Sequence, residues 1–142
     1  MSAGQCPFCH PDHSRVFYEG NLVIGLWDSF PVSDGHVLLI PRRHVADWFE
    51  ATPEEQAELM AAIDVARKNI LARFSPDGFN LGVNIGEVAG QTIFHLHLHV
   101  IPRYRGDVED PTGGVRNVIP ARGNYLKWNI LKENRAEKDI PG

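Results

Sequence analysis

Phe94-His95-Leu96-His97-Leu98-His99-Val100-Ile101-Pro102 alternates apolar side chains with imidazoles and then ends on a proline. Successive side chains of a strand point to opposite faces. The pattern therefore predicts a strand from Phe94 to Ile101, with Phe94, Leu96, Leu98 and Val100 on one face and His95, His97 and His99 on the other. The first face is core. The second cannot be, because each buried ring nitrogen needs a hydrogen-bond partner, so something polar must face the three rings. Distance argues against one metal ion held by all three. Residues two apart on a strand rise about 7 Å and the outer pair about 13 Å, whereas a zinc–nitrogen bond is about 2.0–2.1 Å. A division of labour is easier to build, with one histidine given to a structural ion and the others kept for chemistry.

The loop Gly86-Glu87-Val88-Ala89-Gly90-Gln91-Thr92 joins this run to a second strand-like segment, Phe79 to Ile85. Its glycines permit close approach of backbone to a ligand. Upstream, Thr52-Pro53-Glu54-Glu55 combines an N-cap residue, a proline at the first helical position and a glutamate placed to complete a capping box. Leu59, Met60, Ile63, Ala66, Ile70, Leu71 and Phe74 follow at three- and four-residue steps, predicting one apolar helix face that ends at Ser75-Pro76-Asp77-Gly78. Val16 to Glu19 and Leu22 to Trp27, separated by Gly20-Asn21, read as a hairpin, and His36 to Pro41 as a third short strand. The total is about five strands and one long helix. From Arg103 the chain is polar and glycine-punctuated, predicting an irregular segment with a short closing element around Tyr125 to Leu131.

The chain has 142 residues, 43% of them apolar and 23% charged, which suits a single globular domain over residues 1–142. A net charge of -4 and a pI near 5.9 speak against a general hold on nucleic acid, which needs a basic face. No apolar stretch approaches the roughly 20 residues that span a bilayer. The amino terminus also lacks a basic segment followed by an apolar run, so a cytoplasmic location is expected. Cys6 and Cys9 are the only cysteines. In such a setting their spacing reads as half a tetrahedral metal site or a redox pair before a disulfide, with free thiols as the plain alternative. His44 and His95, each at the end of a strand-like run, are candidates to close it.

Gln91 to Pro102 resembles the signature of the histidine-triad (HIT) superfamily. Gly35-His36-Val37-Leu38-Leu39-Ile40-Pro41-Arg42-Arg43-His44 is similar to its second block, and Asn84 stands at the family's spacing before Gln91. The resemblance implies an α+β fold with a five-stranded antiparallel sheet and one long helix, and a homodimer whose sheets join into ten continuous strands. It implies that His97 attacks the α-phosphorus of a nucleoside phosphate and forms a nucleotidyl-histidine that water releases. His99 and His36 support the reaction, and Gln91, Thr92, His99 and Asn84 are aimed at the phosphate. Asp28 matches the acidic residue that accepts the ribose hydroxyls. Some relatives bind zinc through two cysteines and two histidines matching Cys6, Cys9, His44 and His95, so a closed structural Zn2+ is expected, with a divalent cation accompanying the substrate phosphates. Gly113-Gly114-Val115-Arg116 and Val118-Ile119-Pro120 are similar to a prokaryotic subset often called diadenosine tetraphosphate hydrolases.

Three alternatives stay open. Nucleotidyl transfer to phosphate uses the same first step, although glutamine stands in place of His99 in some transferases. A nucleotide-binding regulatory module would retain the pocket without turnover. A thiol redox protein built on Cys6 and Cys9 is disfavoured, since no βαβ pattern surrounds the pair.

Overall fold

A computed structural model describes residues 3–127. The chain divides into two compact units, one running through Tyr104 and the other beginning at Arg105. In the first, strands β1 (Val16–Glu19), β2 (Val23–Trp27), β3 (Val37–Pro41), β4 (Gly78–Gly82) and β5 (Leu98–Arg103) form one antiparallel sheet in the order β1-β2-β3-β5-β4. The expected α+β class and five-stranded antiparallel sheet are therefore present. No described helix is long and apolar enough to cross a membrane.

Helix α1 (Pro53–Leu71) begins as its sequence dictates. The Thr52 hydroxyl accepts from the Glu55 N–H at 3.1 Å, and the Glu55 carboxylate accepts from the Thr52 N–H at 2.9 Å. Leu59, Ala62, Ala66 and Ile70 are buried against Val37, Leu39, Leu98 and Val100 of the sheet. Met60 and Leu71, counted on the apolar face from sequence, are instead 56% and 42% exposed. Each follows a buried position by one residue, and a step of about 100° turns the side chain off a seam as narrow as this one.

The sheet is apolar on both faces. Residues of β2 and β3 alternate between the helix-side core and a second cluster of Cys6, Phe8, Ile24, Leu26, Leu38 and Ile40. The amino-terminal knuckle thus covers the face opposite α1. This explains why β2 and β3 read as near-continuous apolar runs and not as alternating ones.

Two strand boundaries differ from expectation. β5 begins at Leu98, not Phe94, and Phe94 is 37% exposed and does not share the core with Leu96, Leu98 and Val100. The ladder between β3 and β5 covers only Val37↔Val100, Leu38↔His99 and Leu39↔Leu98. Beyond it β3 runs into Pro41, which has no N–H to donate, and residues 42–46 turn away, leaving a single bond from the Leu96 N–H to the Val45 carbonyl at 2.8 Å. β4 ends at Gly82, opposite His99, one residue short of the β5 boundary at Leu98, and residues 84 and 85 would face His97 and Leu96, which lie off the ladder.

The second unit, as far as it is described, is a series of 3-10 turns at Gly114–Val118, Pro120–Arg122 and Tyr125–Lys127. The irregular segment expected there is found. The closing element expected to reach Leu131 is described only over Tyr125–Lys127, and Trp128 lies outside the described residues.

Candidate functional site

The three histidines of the run have different surroundings. His95 is fully buried and faces the knuckle. Its Nδ1 lies 3.4 Å from Cys6 Sγ, 3.5 Å from Cys9 Sγ and 3.2 Å from His44 Nδ1, which in turn is 3.2 Å from Cys9 Sγ. A tetrahedron with bonds of about 2.3 Å to sulfur and 2.0–2.1 Å to nitrogen has S···N edges of about 3.6 Å and N···N edges of about 3.3 Å. The donor set Cys6, Cys9, His44 and His95 fits such an ion. His95 Nε2–H donates to the Pro41 carbonyl at 2.8 Å, leaving Nδ1 with its lone pair toward the cluster, as a metal-ligating histidine requires. Burial holds the Cys9 thiol up at about 11, with the neighbouring Cys6 adding to it. This thiol favours the neutral form unless a cation faces it.

The loop that presents His44 is anchored from the helix. Arg43 donates to the Glu55 carboxylate at 2.8 Å. That contact, more than the capping bonds, holds the buried Glu55 carboxyl below its ordinary range.

His97 has a different partner. Its Nδ1–H donates to the His95 backbone carbonyl at 2.9 Å, so the lone pair is on Nε2. The peptide unit that accepts this bond is itself fixed, since its N–H, on Leu96, donates to the Val45 carbonyl. A half-buried imidazole with one nitrogen committed and the other free is a nucleophile of fixed tautomer.

His99, in β5, pairs with Leu38 of β3, and His36 precedes Leu38 by two residues on the same face. The Val32 N–H donates to His36 Nδ1 at 3.1 Å, and His36 Nε2–H donates to His99 Nδ1 at 2.9 Å. This relay assigns the His99 proton to Nε2, where it can be given to an anion. Burial holds His99 down at about 4, with the charges of His97 and His36 acting in the same direction. Burial likewise lowers His36, partly offset by Asp28. Both rings are therefore neutral near pH 7. The Asp28 Oδ1 closes a local turn by accepting from the Phe30 N–H at 2.9 Å, and Oδ2 stands 3.4 Å from His36 Nδ1.

The structure thus brings His36, His97, His99 and Asp28 together, and separately Cys6, Cys9, His44 and His95. Gln91 takes a different place from the one expected of a phosphate donor. It is 3% exposed, and its amide donates to the Ala46 and Ile93 carbonyls at 2.6 and 3.1 Å while accepting from the Gly86 N–H at 2.9 Å. Its side chain clamps the glycine loop to the His44 loop. Thr92 is exposed beside it, and the half-buried Asn84 follows Gly82, the partner of His99, by two residues. Sequence reasoning missed a cleft of about 350 Å³ next to the knuckle, lined by Phe8, Pro11, His13, Val16, Ile24 and Arg42 among others. Its only signal was the uninterrupted apolar run of β2.

The chain is similar to several known proteins. The chain is 37% identical over 119 residues to an AP-4-A phosphorylase of Mycobacterium tuberculosis, a match covering 82% of this chain and 60% of that one. It is 36% identical over 100 residues to a bis(5'-nucleosyl)-tetraphosphatase (asymmetrical) of Schizosaccharomyces pombe, covering 70% and 55%. Among solved structures, a Zn-bound histidine triad family protein from Mycobacterium smegmatis superposes with a TM-score of 0.67 at 34% identity, covering 77% of this chain and 82% of that one. The HIT domain model matches residues 11–106. Because that match takes in well over half of the residues, from β1 through the whole histidine run, this chain belongs to the HIT domain family.

Proposed function

We propose that this chain hydrolyses nucleoside-phosphate substrates, dinucleoside polyphosphates or nucleotide phosphoramidates, through a nucleotidyl-histidine on His97. The Nε2 lone pair forms a bond to the α-phosphorus as the bond to the leaving polyphosphate or amine breaks. Water then attacks the same phosphorus, the P–N bond breaks, and a nucleoside monophosphate leaves with His97 restored. The bond from His97 Nδ1–H to the His95 carbonyl is the observation that carries this reading, because it selects the tautomer and stabilises charge as the ring is phosphorylated. His99 Nε2–H donates to a phosphate oxygen whose charge grows in the transition state, and His36 holds His99 in that tautomer.

In this reading Asp28 Oδ2 takes the ribose hydroxyls, Asn84 and Thr92 lie along the phosphates, and Gln91 shapes the loop that carries Thr92. A divalent cation accompanies the phosphates as part of the substrate. The cleft beside Phe8, lined by Pro11, Val16 and Ile24 together with His13 and Arg42, gives a base room to lie. A structural Zn2+ held by Cys6, Cys9, His44 and His95 ties the knuckle to the sheet, with all four positions filled by protein. The likeness to a Zn-bound relative supports it. β4 is an edge strand, which suits pairing of two copies through their sheets.

Phosphate as acceptor in place of water is the second reading, favoured by the likeness to a phosphorylase. An activity panel over adenosine phosphoramidates and dinucleoside polyphosphates, with and without inorganic phosphate, tests both. Hydrolysis without phosphate supports the first reading and a strict phosphate requirement supports the second. Full turnover by His97→Asn overturns both.

A further inference from the structure

The knuckle carries one residue between its two cysteines that is neither a ligand nor a surface group. Phe8 is 7% exposed, and its ring reaches past the metal cluster to the reactive histidine. It meets His95 edge-on at 5.9 Å and His97 at 5.1 Å with the planes tilted by 58°. His99 contacts the His97 ring at 5.1 Å as well. The His97 imidazole is therefore held by one hydrogen bond and two ring contacts.

The hydrogen bond alone is a weak restraint on orientation, because the terminal torsion of histidine is broad and roughly two-fold. A half-turn exchanges Nδ1 with Cδ2, breaks the bond to the His95 carbonyl and moves the lone pair of Nε2 off its line. Packing on the ring resists that turn. On the Phe8 side the packing is set by the short loop closed between Cys6 and Cys9, where the Cys9 N–H donates to the Cys6 carbonyl at 3.2 Å.

We propose that Phe8 is a positioning residue for His97: the knuckle holds its ring against the imidazole and keeps Nδ1 on the His95 carbonyl. The inference rests on His97 being the reactive group, but the orientation is measurable without turnover.

The test compares full-length wild type with Phe8→Ala and Phe8→Leu. It reads metal content, the two-bond proton–nitrogen NMR pattern of the His97 ring, assigned against His97→Asn, and kcat and KM on the best substrate of the panel. Wild type shows a single tautomer with Nδ1 protonated. In Phe8→Ala the pattern averages and kcat falls about 10- to 100-fold, the scale of a misplaced reactive group, while metal content holds and KM changes less than kcat. Phe8→Leu, which restores apolar volume, recovers the single pattern and most of kcat. An unchanged nitrogen pattern in Phe8→Ala overturns the proposal. So does a loss confined to KM, which marks a substrate contact, or a loss of metal from both variants, which marks a role in the cluster alone. A wild type with the single tautomer but no turnover strikes at the proposed function and leaves this inference to the NMR arm.

Discussion

Removing the Zn2+ proposed for the Cys6, Cys9, His44 and His95 cluster should loosen the fold by an amount that follows from linkage. An ion that binds only the native state stabilises it by RT ln(1 + [L]/Kd), about 4 kcal/mol when the free ion is a thousandfold above Kd. For a domain of this size each kcal/mol moves the melting midpoint by roughly 3–5 °C. The loss on chelation is therefore about 12–20 °C. The sheet and α1 have a core of their own, with Leu39, Leu59, Ile70 and Val100 fully buried. The chelated protein should thus still unfold cooperatively, unlike an isolated zinc finger. The assay is thermal unfolding of the purified chain before and after chelation, with metal content measured in parallel and Cys9→Ser as the matched variant. A protein that purifies with stoichiometric metal, yet melts at the same temperature after chelation, would refute the structural role.

Two further outcomes follow from the geometry. Burial holds His99 at about 4, so its NMR titration midpoint should lie well below the ordinary value near 6.5. Between those values the unfolded chain takes up a proton that the folded one refuses. This site's contribution to stability is therefore whole above pH 6.5 and is lost progressively as the pH falls toward 4. A midpoint near 6.5 contradicts the burial of the His36–His99 relay. Thr52→Ala removes the capping hydroxyl of α1 and should cost about 1 kcal/mol in urea unfolding. Thr52→Ser should recover most of that, and turnover should not change in either variant.

What could be read from sequence was what local chemistry decides. The Thr52-Pro53-Glu54-Glu55 start of α1 depends on bonds within four residues, and every one of them forms. The start of β5 could not be read in this way. It depends on Pro41 and the turn of residues 42–46, more than fifty positions away, which take Phe94 to His97 off the ladder and leave them the one bond from Leu96 to Val45. The same departure makes the division of labour possible. Off the ladder, His95 can turn to the cysteines while His97 bonds back to its carbonyl, two directions that one regular strand face would not allow. The register of Gln91 with the triad points it at the phosphate, but its amide is occupied by three backbone partners that no spacing could disclose. Phe8 gave no sign of its position in the sequence, since nothing in Cys6-Pro7-Phe8-Cys9 indicates what the ring covers.

In the proposed reaction His97 Nε2 is the atom that takes the phosphorus. Rapid denaturation of the protein during turnover of an adenosine polyphosphate labelled at the α-phosphate should yield a chain carrying label, stable to base, lost in acid and mapped to His97. Label absent from His97 while product accumulates, or present equally in His97→Asn, contradicts it.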